Sequence, residues 1–182
     1  MPKMFFNKKL KNFRLSNIDQ KIKLLSNLKV DFIITKKFDK KFSKTNAVNF
    51  IIQILNKKLS SKFIFVSNNF RFGNKREGDV NFLIRNEKKY NYKVIKPRPI
   101  LVSKKIVSSS YIRSLLENGY LNKANKLLNR NWSIEGIVQK GRQVGKKIGF
   151  PTCNIDIKNY VLAKPGVYAV KVIIKKNIKY LK

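Results

Sequence analysis

Three glycines spaced four apart, Gly141, Gly145 and Gly149, lead into Pro151, Thr152 and Asn154, and this run is the part of the chain best suited to chemistry. Glycines leave a backbone free to turn and to expose consecutive amides, and Arg142, Lys146 and Lys147 surround that backbone with positive charge. Such a loop suits phosphate. It is not a Walker A loop, because Lys147 follows Lys146 where that motif needs Ser or Thr. Pro151 fixes the backbone, and Thr152 and Asn154 fall at alternate positions, so an extended segment turns both oxygen-bearing side chains to one side. A hydroxyl and an amide oxygen beside a phosphate loop suit a magnesium ion that keeps most of its waters.

Two more clusters carry polar groups. The run NNFRFGNKREGD, 68–79, holds Asn69, Arg71, Phe72, Gly73, Arg76 and Asp79 directly after an apolar stretch. It therefore leaves the carboxyl end of a predicted strand, where open parallel sheets bind ligands. Ser108, Ser109 and Ser110 precede an amphipathic stretch, and hydroxyls with free amides at a helix N-terminus attract anions. Arg113, one turn on, can bring a guanidinium to the same oxygens.

These runs, in this order, resemble the bacterial bifunctional riboflavin kinase and FMN adenylyltransferase (FAD synthetase) family. GRQVGKKIGFPTCN is similar to the GxxxGxxxGFPTxN signature of riboflavin kinases, SSSYIR to ISSTxIR, and NNFRFGNKREGD to the FRFG segment, and nearly the whole chain aligns. Ser67 and Asn69 stand where the family more often has Gly and Asp, and Cys153 where it usually has Ala. The resemblance implies two reactions: transfer of the terminal ATP phosphate to riboflavin, giving FMN, and attack of the FMN phosphate on ATP, giving FAD and pyrophosphate. Both are in-line transfers at phosphorus, in which positioning and charge neutralisation supply most of the acceleration. By resemblance, Gly141, Arg142, Gly145, Lys146, Gly149 and Pro151 bind ATP for the kinase, and Thr152 and Asn154 hold Mg2+. Asn69, Arg71, Phe72, Gly73, Asp79, Ser108, Ser109, Ser110 and Arg113 bind nucleotide and flavin in the adenylyltransferase. Riboflavin, FMN and ATP are the implied small-molecule partners, with FMN and FAD as substrate and product, and alkylating Cys153 is expected to weaken ATP binding.

The same alignment opens after the family's GxFDGxHxGH segment and closes before the glutamate that serves its kinase as base. The expectation is an incomplete Rossmann-like parallel sheet over residues 1–128, then the start of an antiparallel β-barrel over 129–182. By this resemblance the chain is expected to be a fragment that catalyses neither step alone and to hold neither catalytic group.

Composition limits the alternatives. The 182 residues include 42 Lys and Arg against 9 Asp and Glu, for a formal charge of +33, and no histidine, which excludes His-based acid–base chemistry and His metal sites. That charge keeps a basic RNA-binding protein in view as an alternative. However, 34 Lys, 21 Asn and 21 Ile make up 76 residues against only 8 Arg, the pattern of an A- and T-rich coding sequence. Sequence-reading proteins favour arginine, so no specific nucleic-acid partner is expected. Cys153 is the only cysteine, and no 18-residue apolar run or secretory leader is present, which together point to the cytoplasm and away from a membrane.

Periodicity supplies the elements that hold these groups. Ser16 and Asp19 read as a capping box for a helix with Ile18, Ile22, Leu25 and Leu28 facing inward. Residues 30–35 and 62–67 read as buried strands flanking a helix that begins after Thr45 or Asn46, with Ala47, Phe50, Ile51, Ile54 and Leu55 inward; this is a right-handed parallel crossover. A short strand at 92–95, a helix after Ser110 stopped by Gly119 and a helix at 121–128 continue the α/β alternation. Trp132 reads as a packing residue at the domain junction. From Ser133 the period becomes two, giving strands at 133–139 and 167–174 around a turn at Pro165 and Gly166.

Overall fold

The computed structural model describes residues 2–7, 9–10, 13–141, 148–149, 152–157 and 159–174. After a short helix α1 (Pro2–Phe6), residues Ile18–Ser26 form α2. Its N-cap is Asn17, one residue beyond the predicted Ser16. The Asn17 side chain accepts from Gln20 N at 2.7 Å, and Gln20 Oε1 accepts from Asn17 N at 2.9 Å. Asn caps as well as Ser, and the Gln at the third helical position selects it. Ser16 is instead buried, its hydroxyl accepting from Arg130 Nη2 at 2.9 Å. The predicted inward stripe of α2 is exposed at Ile18, Ile22, Leu25 and Leu28, and the residue it buries is Gln20.

Residues 30–35 form no strand, and Phe32 is 86% exposed. An apolar run becomes a strand only where a neighbour supplies ladder bonds, and no described residue does so here. Asp39 caps α3 (Lys40–Ser43), and Asn46 caps α4 (Ala47–Asn49) at the predicted point. The latter continues in wider π-type turns over Phe50–Lys58, as in the bond from Leu59 N to Ile54 O at 3.0 Å.

Next come β1 (Phe63–Phe65), β2 (Arg71–Phe72), β3 (Gly78–Asp79), α5 (Val80–Arg85), α6 (Glu87–Tyr90) and β4 (Lys93–Ile95). β1 and β4 pair in parallel, with Ile64 opposite Val94, so the crossover lies one unit later than predicted. Ile64 is buried while Phe63 and Phe65 are each 65% exposed, so β1 is covered on one face where burial on both was predicted. Ala47, Ile51, Ile64, Phe72, Leu83 and Tyr92 form the core beneath it. Ile51 and Leu83 are fully buried, worth about 1.5–3 kcal/mol each. Tyr92 donates its hydroxyl to Leu83 O at 2.7 Å, so no polar atom is stranded there.

An unpredicted hairpin follows, β5 (Leu101–Val102) and β6 (Lys105–Ile106), turning on Ser103 and Lys104. Both take positive φ, 49° and 61°, as a type I′ turn demands, without the Asn-Gly pair that usually announces it. Helices α7 (Ser109–Glu117) and α8 (Leu121–Leu128) flank Gly119, whose φ of 81° stops the first as predicted. Ile112, Leu115, Leu116, Ala124 and Val161 make a second core. Trp132 packs against it and donates Nε1–H to Leu15 O at 2.9 Å, a packing residue as predicted.

β7 (Val138–Gln139) and β8 (Asn154–Ile155) form an antiparallel pair. The predicted strand at 133–139 is shorter because Ser133 O accepts from Gln20 and Glu135 N bonds Tyr160 Oη, which takes them out of any ladder. Pro165 and Gly166 form the predicted bend, but residues 167–174 pair with nothing among the described residues, and Val170 and Val172 are exposed. No closed barrel exists among the described residues. The fold is mixed α/β, with a two-stranded parallel sheet and antiparallel strand pairs. No described helix is long and apolar enough to cross a membrane.

Candidate functional site

The carboxyl ends of β1 and β4 open together. Val66 N bonds Ile95 O at 3.1 Å, after which the two chains separate around a cleft of about 430 Å³. Asn68, Arg71, Asp79, Val80, Asn81 and Lys96 line it. Arg71 faces Asp79 across the β2–β3 pair, and their side chains meet at 3.3 Å. The other carboxylate oxygen of Asp79 accepts Phe82 N at 2.7 Å and caps α5, so one residue ties the strand end to the helix start. The cleft thus presents a guanidinium, an ammonium, a carboxylate and two amides, a set suited to a polar anionic ligand rather than an apolar one.

Of the residues predicted here, Arg71 and Asp79 line the cleft. Phe72 does not; it is buried, with ring centroids 5.2 Å from Phe50 and 5.6 Å from Phe70. Gly73 (φ 77°) lies where a Cβ would come 2.8 Å from Ala47 N, and its role is to let two backbones approach. Asn69 is exposed and accepts from Ser67 Oγ at 2.8 Å. Asn68, Asn81 and Lys96 escaped sequence reasoning. Lys96 was within reach, since it directly follows the strand predicted at 92–95.

Ser108 is the N-cap of α7 and accepts from Tyr111 N at 3.2 Å, while Ser109 and Ser110 occupy the exposed first turn. No hydrogen bond among the described residues links Arg113 to these serines. Its Nε–H donates to Phe13 O at 2.8 Å, and its guanidinium carbon stands 3.5 Å from the centroid of the Phe13 ring. Burial there lowers the Arg113 pKa, with Glu117 opposing the shift.

In the glycine loop, Arg142, Gly145, Lys146 and Pro151 lie outside the described residues. Gly149 has φ 82° and no described residue within 4 Å of where its Cβ would lie, whereas a Cβ on Gly141 would overlap the Asn154 amide. Asn154 pairs with Gln139 in the β7–β8 ladder, and Thr152, Cys153 and Asn154 are all exposed. The two oxygen-bearing side chains are open to solvent, as a partly hydrated cation requires. Among the described residues no group of three or more Asp, Glu, Cys or His could hold a metal ion.

The sequence model of the FAD synthetase family matches residues 1–111. The chain belongs to that family. A riboflavin kinase model matches residues 128–181. Among relatives named bifunctional riboflavin kinase/FMN adenylyltransferase, that of Buchnera aphidicola subsp. Schizaphis graminum is 40% identical over 99% of this chain and 58% of its own length. The Haemophilus influenzae relative is 37% identical over 96% of this chain and 56% of its own. The Escherichia coli K12 relative is 34% identical over 88% and 51%. This FAD synthetase family member therefore spans a little over half the length of its curated relatives. A solved structure described as a macrolide-efflux protein from Streptococcus pneumoniae superposes with TM-score 0.69 at 24% identity, over 85% of this chain and 49% of that one, a likeness of fold alone. None of these proteins is described as binding nucleic acid, so the RNA-binding alternative gains no support.

Proposed function

We propose that this FAD synthetase family member serves in making FAD from riboflavin and ATP, with an adenylyltransferase domain over residues 1–128 and a riboflavin kinase domain over 129–182. The observation that carries the reading is the polar cleft where β1 and β4 end, formed by Arg71, Asp79 and Lys96 in the part of the chain that matches FAD synthetase. Open parallel sheets take their ligands at such a point. Arg71 binds phosphate oxygens there, with Asp79 fixing its orientation and capping α5. Ser108, Ser109 and Ser110 offer hydroxyls and amides to the ATP phosphates at the start of α7. In the kinase domain, Gly141, Arg142, Gly145, Lys146, Gly149 and Pro151 surround ATP; in the adenylyltransferase domain, Asn69 and Arg113 join the flavin-nucleotide side, which Phe72 and Gly73 support from the packed backbone behind it.

Thr152 and Asn154 fit Mg2+ through a hydroxyl and an amide oxygen, both exposed. The ion neutralises phosphate charge when bound. The chain's own part is to hold the nucleotide still, so that transfer needs little further reorganisation. Catalysis is assigned to groups outside the matched motifs, and the place of action is the cytoplasm.

The test is binding of Mg-ATP and FMN to the 182-residue chain beside Thr152→Ala, Asn154→Ala and Arg71→Ala. Loss of about tenfold in Mg-ATP affinity in the first two, and of FMN or ATP affinity in the third, supports the reading. Unchanged affinities, with RNA binding that falls steeply with salt, would overturn it.

A further inference from the structure

Arg113 sits in the SSSYIR run at the start of α7, yet it is gripped from outside that helix by Phe13, 100 positions earlier. The Phe13 carbonyl takes Nε–H at 2.8 Å and the Phe13 ring lies under the guanidinium at 3.5 Å. A guanidinium held by Nε and by one face keeps both terminal nitrogens, the donor pair that grips a phosphate with two parallel bonds. No bond among the described residues uses those two nitrogens. The platform is itself anchored: Phe13 N and Arg14 N both donate to Asn159 O, at 3.1 and 2.6 Å, and Val161 N donates to Arg14 O at 2.8 Å.

We propose that Phe13 is a positioning residue, whose ring and carbonyl orient the Arg113 guanidinium toward the phosphates of the nucleotide bound at the start of α7. This rests on the proposed function, which places a nucleotide there. A free arginine side chain has many rotamers to lose, and a stacked, bonded one has already lost much of that freedom before ligand arrives. The anchorage on Asn159 also means that the platform is built by a segment of the riboflavin kinase match.

The experiment titrates the full chain with Mg-ATP and with adenosine, following the amide resonances of Tyr111 and Ile112, which report on this helix end rather than on the glycine loop. Arg113→Ala is expected to weaken ATP about tenfold and to leave adenosine unchanged. Phe13→Leu is expected to weaken ATP about fivefold, again sparing adenosine, with Phe13→Trp restoring it, since fivefold is about 1 kcal/mol, the order of one partly buried stacking contact. ATP affinity unchanged in Phe13→Leu but lost in Arg113→Ala overturns the inference and leaves the function standing. Parallel loss of ATP and adenosine in Phe13→Leu reduces Phe13 to a structural part and also overturns it. Arg113→Ala with wild-type ATP affinity overturns the nucleotide reading of this helix end itself.

Discussion

Tyr160 donates its hydroxyl hydrogen to Gln20 Oε1 at 3.0 Å, joining residues 140 positions apart. The same hydroxyl oxygen accepts Glu135 N at 3.2 Å, and Gln20 Nε2 reaches Ser133 O at 3.1 Å and Ser133 Oγ at 3.2 Å. Gln20 is buried and all its polar capacity is used, so it ties α2 to the chain beyond residue 128. Gln20→Leu leaves several partners unpaired and is expected to cost about 2–3 kcal/mol. Tyr160→Phe should cost about 1 kcal/mol, and denaturant melts of the double variant should show coupling between the two. Strict additivity would mean that the ring of bonds does not act as a unit.

Arg71 and Asp79 separate binding from stability. Their ion pair is largely exposed, with side chains 47% and 33% accessible, so Arg71→Ala should change the unfolding free energy by less than about 1 kcal/mol. Asp79→Ala also removes the cap of α5 and is expected to cost about 1 kcal/mol. Thermal melts of the two variants beside FMN titrations should therefore rank them oppositely: Asp79→Ala the less stable, Arg71→Ala the poorer binder.

The glycines differ in what they prevent. Gly73→Ala combines a φ of 77° with a backbone atom 2.8 Å from the new Cβ, and a loss of about 2 kcal/mol is expected. Among the described residues, the new Cβ of Gly141→Ala meets the movable end of Asn154. It should melt near wild type while weakening Mg-ATP, because the displaced amide is the proposed ion contact. A Gly141→Ala variant with intact Mg-ATP affinity would remove Asn154 from the ion site.

Tyr92 dictates behaviour in base. Burial pushes its pKa up to about 12, with Glu87 and Tyr90 adding to the shift. Its phenol keeps its proton in the folded state above pH 10, where the unfolded chain gives it up, so folded stability falls as pH rises from 10 towards 12. Tyr92→Phe should be less stable near neutrality by about 1 kcal/mol, having lost the bond to Leu83 O, and should lack this part of the alkaline decline. Ultraviolet titration of phenolate is the check. Glu87 acts at the other end: its bond from Val94 N at 2.7 Å, and next to that Lys93, hold its pKa below the ordinary value. That contribution is present above the unfolded pKa and fades as acid is added.

Cys153 is exposed between Thr152 and Asn154. Alkylation places bulk beside both proposed ion contacts and is expected to weaken ATP binding severalfold. Full modification by iodoacetamide, confirmed by mass, with unaltered ATP affinity would count against a nucleotide at this strand.

Much of the local architecture was readable from the residues. Asn46, Gly119 and the 92–95 run each carry their own signal, and the structure uses them as caps, stops and strands. Failures arose where the outcome depends on a distant partner. Phe32 and Val170 lie in runs with strand composition but have no neighbouring ladder, and Ile22 sits on a helix whose buried residue is the polar Gln20, because Tyr160 and Ser133 approach from that side. The site divides the same way. Arg71 opposite Asp79 follows from a short hairpin, whereas Arg113 against Phe13 spans 100 positions and no periodicity announces it.

The half-covered strand β1 governs how the chain behaves in a test tube. Among the described residues β1 has one ladder neighbour, and an unpaired strand margin beside the exposed rings of Phe63 and Phe65 is a template for another copy. At low ionic strength the net charge of +33 holds copies apart. Added salt removes that repulsion and strengthens apolar association, so this unusually basic polypeptide should cluster on raising salt, and a buffer of about 0.01 M, where the screening length is about 30 Å, is the better storage medium.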